Sequence, residues 1–162
     1  MTKIDDWMLA RYQWMADWIY TLLEVSPYRV SAHLFTGFGV MTFFMFAEET
    51  IRRGVPRLSM VLGLLFCMIT PVFAVPLAFR RDKEWEQGKT PTLSPLDGRG
   101  PRVMWLFLAA VYVGIDLTKP EFTLNDLFAS CGVASILSAY YFYGCIPPTP
   151  RQRRARILVT QT

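Results

Sequence analysis

Charge is scarce in this chain, and so are the side chains on which most enzymes depend. Of 162 residues only 19% are charged, with a single histidine, His33, and three cysteines, Cys67, Cys131 and Cys145. A soluble domain of this length ordinarily carries about 25% charged residues. One histidine excludes bis-histidine haem ligation and argues against histidine-rich metal sites. The cysteines form no CxxC pair and no disulfide framework, and free thiols behave as small apolar groups. No P-loop, GxSxG, HExxH or paired-carboxylate motif occurs. The apolar runs contain no lysine, so there is no Schiff-base site for retinal. The first ten residues are acidic and lack the basic and apolar regions of a secretory signal. No catalytic residue, cofactor or metal is expected, and an enzyme is the class these residues support least.

What the chain has instead is apolar length. Hydrophobic residues make up 52% of it and fall in blocks, the pattern of a membrane protein rather than of one water-soluble core. A span needs about 20 mostly apolar residues. Charge-free runs occur at 30–47, 58–79, 103–115 and 127–146. The second and fourth suffice unaided. The first continues as helix through Glu48 and Glu49, each with an arginine four residues on, until Gly54 stops it. Two residues then lead to Arg57, so the first two spans form a tight antiparallel hairpin. The third run is short, since thirteen residues rise only about 20 Å against roughly 30 Å of hydrocarbon.

The distribution of positive charge resolves whether that run crosses. Lysine and arginine number three in 1–29, six in 80–102 and four in 147–162, against three in 48–57 and one in 116–126. With four crossings, thirteen lie on one side and four on the other, a positive-inside pattern with both termini cytosolic. With the third run re-entrant, the split is ten against seven and carries no orientation. The expected fold is therefore an all-α integral membrane protein of the cell (inner) membrane. An amphipathic helix over 1–28 precedes four spans (about 30–47, 58–79, 103–117 and 127–146). A cytosolic loop follows at 80–102, flexible after about Gln87, and a basic cytosolic tail at 147–162. Tyr140, Tyr141, Phe142, Tyr143 and Trp105 are expected in the cytosolic aromatic belt.

Ionisable groups inside a membrane are costly and are candidates for function. His33 lies one turn into the first span and Asp116 at the far end of the third, a membrane thickness apart, which rules out a His–Asp dyad. In the fourth span Ser130, Ala134 and Ser138 recur every four residues, and Cys131, Ser135 and Ala139 follow one residue on. Such small-residue ridges permit close helix approach, either within the chain or as a face for a second copy or partner. Pro71 removes a mid-span hydrogen bond and predicts a kink. Arg151, Arg153, Arg154 and Arg156 in the tail attract anionic lipid at about 1 kcal/mol each. Without interleaved aromatics they do not point to nucleic acid.

The N-terminal helix is the distinctive element. On a 100° wheel from Asp6, Gln13 falls at about −20°, Asp17 at about +20° and Glu24 at about 0°, one narrow polar stripe. Ile4, Met8, Met15, Ile19 and Leu22 lie opposite, with Trp7, Trp14 and Trp18 along one flank. The helix suits the membrane interface, yet its polar face is acidic where basic residues are usual. Either the stripe meets the chain's own basic loop or tail, or it meets a basic partner. The function expected is an accessory, assembly or interaction subunit of a membrane complex, non-catalytic, with the bilayer and a protein partner or second copy as its contacts. The alternative is a small oligomeric transporter or holin-like pore.

Overall fold

The computed structural model describes residues 2–54, 58–89, 96, 98–116 and 123–147. Among these the chain is all-helical, without strands: α1 (Thr2–Leu23), α2 (Pro27–Arg53), α3 (Leu58–Glu86), α4 (Arg99–Asp116) and α5 (Leu124–Gly144). The helix ends follow from local chemistry. Glu24 turns left-handed (φ 54°), and its N–H returns to the Tyr20 carbonyl at 2.9 Å, closing α1 in the manner of a C-terminal cap. Two residues later Ser26 accepts from the Arg29 N–H, and Pro27 opens α2, where its missing N–H costs nothing. Gly54 ends that helix at φ 81° with its N–H on the Thr50 carbonyl, the stop the sequence predicts. Thr123 and Asp126 exchange bonds in a capping box at the start of α5.

Two helices outrun their apolar blocks. α3 continues from Phe79 to Glu86, supported by the Arg80–Glu84 pair at 2.9 Å, and remains helical through Pro71 and Pro76. α4 begins at Arg99, four residues before its apolar run, and reaches 18 residues, about 27 Å. At the end of α2 Glu49 pairs with Arg52 at 2.6 Å, and the Arg53 side chain lies outside the described residues.

Helices α2 to α5 alternate in direction. At one end Arg29 meets Asp82 at 2.8 Å, and Tyr28 meets Tyr143 edge-on at 6.0 Å. At the other, Phe44 stacks on Phe128, and the Tyr112 hydroxyl donates to the Asp126 carbonyl at 3.2 Å. The central pair is α2 with α5; α3 flanks the former and α4 the latter. Close approach of the central pair relies on small side chains. Ser31 Oγ donates to the Ala139 carbonyl and Ser135 Oγ to the Leu34 carbonyl, both at 2.8 Å. A Cβ on Gly37 would meet Ser135 Oγ at 3.3 Å. Phe35, Phe38, Ala74, Ala78, Ile136 and Tyr140 form the buried core between the four helices.

Two of the helices, Pro27–Arg52 and Asn125–Gly144, are long and apolar enough to cross a membrane, with mean hydropathies of 1.5 and 1.3. Along α3 and α4, large apolar side chains including Leu62, Leu65, Ile69, Val72, Phe107 and Val111 are exposed.

Candidate functional site: the charged end of the bundle

The last turn of α5 carries four consecutive aromatics, Tyr140 to Tyr143. At 100° per residue they point around the whole circumference of the helix. All four are buried, so this turn needs a wall on every side. Tyr140 stacks against Trp105 of α4 and meets Phe35 of α2 edge-on. Tyr143 meets Tyr28. The remaining side is closed by α1, whose Tyr12 stacks on Tyr141 at 5.0 Å and meets Phe142 edge-on at 5.2 Å. The expected interfacial belt is thus corrected. These aromatics and Trp105 face protein: Tyr140, Tyr143 and Trp105 pack among the bundle helices, and α1 covers Tyr141 and Phe142.

α1 crosses the bundle end rather than running along it. From Asp5 to Tyr20 it rises about 22 Å, and over that length it meets the first turn of α4, the end of α5 and the end of α3. Its contacts are specific. The Tyr12 hydroxyl and Ser138 Oγ are 2.8 Å apart. Gln13 grips the backbone of Ile146 at both ends of its amide, donating to the carbonyl at 2.9 Å and accepting from the N–H at 2.8 Å. Ala16 packs beside Phe142 and Cys145. Tyr20 meets Trp85 edge-on at 5.7 Å.

The centre of this end is Asp5, which is fully buried. Arg99 and Arg102 stand one turn apart on the same face of α4 and both reach it. Arg99 Nε lies 3.1 Å from Oδ2, and Arg102 Nε lies 3.2 Å from Oδ1. The Tyr141 hydroxyl donates to Oδ1 at 3.1 Å. An unpaired carboxylate in such a place would be prohibitive, whereas two guanidinium groups and a phenol satisfy it. Arg99 also holds Asp6 at 2.7 Å. A second ionic group lies across the bundle end. The buried Asp82 receives Arg29, and Ser26 Oγ donates to it, while Arg29 also pairs with Glu86 at 3.0 Å. Arg81, next to Asp82, lies over the rings of Tyr143 at 4.6 Å and Tyr28 at 5.5 Å, a cation–π arrangement. Chemically, this end is suited to holding helices in fixed relation: its buried carboxylates are engaged with guanidinium and hydroxyl groups of the chain itself.

The residues singled out from the sequence are dispersed. Of the acidic stripe, Asp6 meets Arg99, Gln13 meets Ile146, and Asp17 accepts from Gln13 at 3.1 Å. Glu24 lies past the helix end in its left-handed turn, so the stripe stops at Asp17. At Asp6 the stripe meets Arg99, within the segment read from the sequence as the basic loop. In α5, Ala139 and Ser135 face α2, Ser138 faces Tyr12, and Ser130 approaches Tyr112 at 3.5 Å, while Cys131 and Ala134 are exposed. His33 is exposed and sits edge-on to Phe79 at 6.2 Å. Asp116 ends α4 at the opposite end of the bundle, with its side chain outside the described residues. Pro71 is buried against Gly39, where a Cβ would reach its ring at 3.3 Å. Arg151, Arg153, Arg154 and Arg156 lie outside the described residues, as do residues 90–95 of the loop.

From the sequence Tyr141 is named only as part of an aromatic belt, and Asp5 and Arg102 are not singled out, although a signal exists. On the wheel Asp5 sits at about −100°, away from the acidic stripe and in line with Leu9, Tyr12, Ala16 and Tyr20. A lone acid on an aromatic face calls for a buried cation, and Arg99 with Arg102 is the basic pair of one helix turn. No family model, no curated protein and no solved structure matches this chain.

Proposed function

We propose that this chain is a four-span membrane protein with both termini in the cytosol, acting as a non-catalytic accessory or assembly subunit of a membrane complex. The observation that carries the reading is the seating of α1. Its inner face is fixed to the bundle through Asp5, Tyr12 and Gln13, while Trp7, Trp14 and Trp18 on the outer flank are 57%, 66% and 57% exposed. A helix held so firmly with its tryptophans turned outward offers a rigid platform at the membrane surface, where such rings prefer to lie. Four crossings are supported by the alternating directions of α2 to α5 and by the exposed apolar side chains between two charged ends, an arrangement unfavourable in water. The excess of lysine and arginine on the α1 side supports a cytosolic placement.

Purification in mild detergent with mass determination, followed by ion-leak assays in liposomes, tests the reading. A stoichiometric protein partner with silent liposomes is the expected result. A discrete homo-oligomer that leaks ions would replace it with the pore-forming alternative.

A further inference from the structure

Between α2 and α3 lies an open groove of about 590 Å³, lined by Thr36, Val40, Phe44, Met68, Val72 and Pro76. Its floor is set by Gly39, which has no side chain to hold the helices apart. A Cβ there would stand 3.3 Å from the Pro71 ring and 3.7 Å from Met68 Sδ. The close approach of the two helices at this floor therefore depends on a glycine. Its volume is that of a small-molecule site. From Thr36 to Phe44 it runs about 12 Å along α2, a length suited to part of one extended hydrocarbon chain.

The groove has direction. On α2, Arg29, His33, Thr36 and Val40 follow one another at spacings of four, three and four residues, so they share one helix face. On α3, Val72, Pro76 and Arg80 do the same. The groove walls thus lead toward the charged end, where His33 meets Phe79, Arg80 is exposed and Arg29 is half-buried on the same faces. Both arginines also hold acids of α3, Arg29 with Asp82 and Glu86, and Arg80 with Glu84. The Arg80–Glu84 pair is an exposed one of the kind that contributes little, leaving its guanidinium available to a stronger anion. Apolar walls that end at the exposed Arg80 guanidinium and His33 imidazole match one class of molecule.

We propose that this groove binds one acyl chain of an anionic phospholipid, with the phosphate at the Arg80 and His33 mouth. The site rests on the membrane reading given above, and it would fix a lipid against α2 and α3 on the side of the bundle away from α4.

Reconstitution into phosphatidylglycerol–phosphatidylcholine mixtures, release into mild detergent and native mass spectrometry test the site. One phosphatidylglycerol per chain should be retained in preference to phosphatidylcholine. Val72→Trp, which fills the groove from an exposed wall, should lower retention roughly tenfold, an amount that corresponds to a modest loss of affinity. Arg80→Gln should reduce the preference for phosphatidylglycerol roughly fivefold, the contribution of one basic residue at an anionic surface. Leu108→Trp, a change at an exposed position of α4, should leave both unchanged. Equal retention of the two lipids, indifference to Val72→Trp, or a second copy of the chain in place of lipid would each overturn the proposal. Membrane fractionation of the same cells separates the two readings. A chain that sediments with membranes yet retains no lipid refutes the groove alone, whereas a chain found in the soluble fraction refutes the membrane reading with it.

Discussion

Tyr141 and Asp5 are 136 positions apart in the chain, and the phenol of one donates to the carboxylate of the other at 3.1 Å. That bond closes a ring of dependence. The four-aromatic turn of α5 needs α1 as its missing wall, α1 brings a carboxylate into the interior, and the carboxylate needs α4 to begin with Arg99 and Arg102. Each element makes the next one tolerable.

Removal of the carboxylate should therefore be the most damaging change at this end. Asp5→Ala removes the buried carboxylate that both Arg99 and Arg102 reach and is expected to cost about 3–5 kcal/mol. Tyr141→Phe removes one bond to a charged group, about 1.5–3 kcal/mol. Arg99→Gln should cost less than about 1 kcal/mol, because the Arg99 side chain is 44% exposed. Thermal unfolding of the three variants in detergent should give that order. Equal effects would mean that Asp5 is held by packing rather than by charge.

How much of this was legible beforehand depends on what each residue had to report. Gly54 marks the end of α2 locally and stands where the sequence places it, whereas α3 and α4 run past their apolar blocks. Tyr140 to Tyr143 were read as an interfacial belt because a helix end rich in aromatics ordinarily meets the membrane surface. Their angular spread around α5 was the contrary sign, since four successive positions cannot share one side. Asp5 is hard to read from the sequence because its neighbour Asp6 begins a regular stripe, and a periodic pattern masks a single residue beside it. A single charge out of register is the weaker pattern and here the stronger constraint. The start of α4 at Arg99 was missed for a related reason, because charged residues that belong to a helix look like loop when counted by hydropathy.

Glycine positions separate close packing from mere proximity. Gly39→Ala would drive a Cβ to 3.3 Å from the Pro71 ring, which cannot rotate away, and should destabilise by about 1–3 kcal/mol. Gly132→Ala meets nothing closer than 3.7 Å. It should be neutral, or gain up to about 1 kcal/mol from helix propensity. Opposite signs in paired unfolding measurements are the expected outcome, and a loss at both would place α2 and α5 closer together than the structure has them.

The seat of α1 can be read by fluorescence. Trp7, Trp14 and Trp18 are exposed on one flank, whereas Trp105 is buried among Phe38 and Tyr140. In liposomes, lipids brominated near the head group should quench the three N-terminal tryptophans more strongly than lipids brominated at the chain end. A variant that keeps only Trp105 should show little quenching by either. Quenching of Trp7, Trp14 and Trp18 by a water-soluble quencher alone would put this flank in solvent or against a polar partner, and α1 would then not lie in the interface.

Cys145 offers a direct measure of whether α1 stays docked. Its side chain is almost wholly buried beside Ala16 and Phe142, and its thiol donates to the Tyr141 carbonyl at 3.2 Å, whereas Cys131 is exposed. A thiol so placed resists acylation and alkylation, because reaction requires an accessible thiolate. In detergent, a small maleimide should modify Cys131 readily and Cys145 only when α1 lifts away, at a rate that tracks the population of the open form. Asp5→Ala loosens the clamp without touching the cysteine. It should speed labelling of Cys145 by roughly tenfold or more, the factor that corresponds to about 1.4 kcal/mol of lost docking, while the rate at Cys131 stays constant. If Cys145 is labelled equally fast with and without the Asp5 carboxylate, the ionic contacts do not hold α1 in place. The aromatic stack of Tyr12 on Tyr141 would then be the remaining fastener, and Tyr12→Ala should be the variant that exposes the thiol.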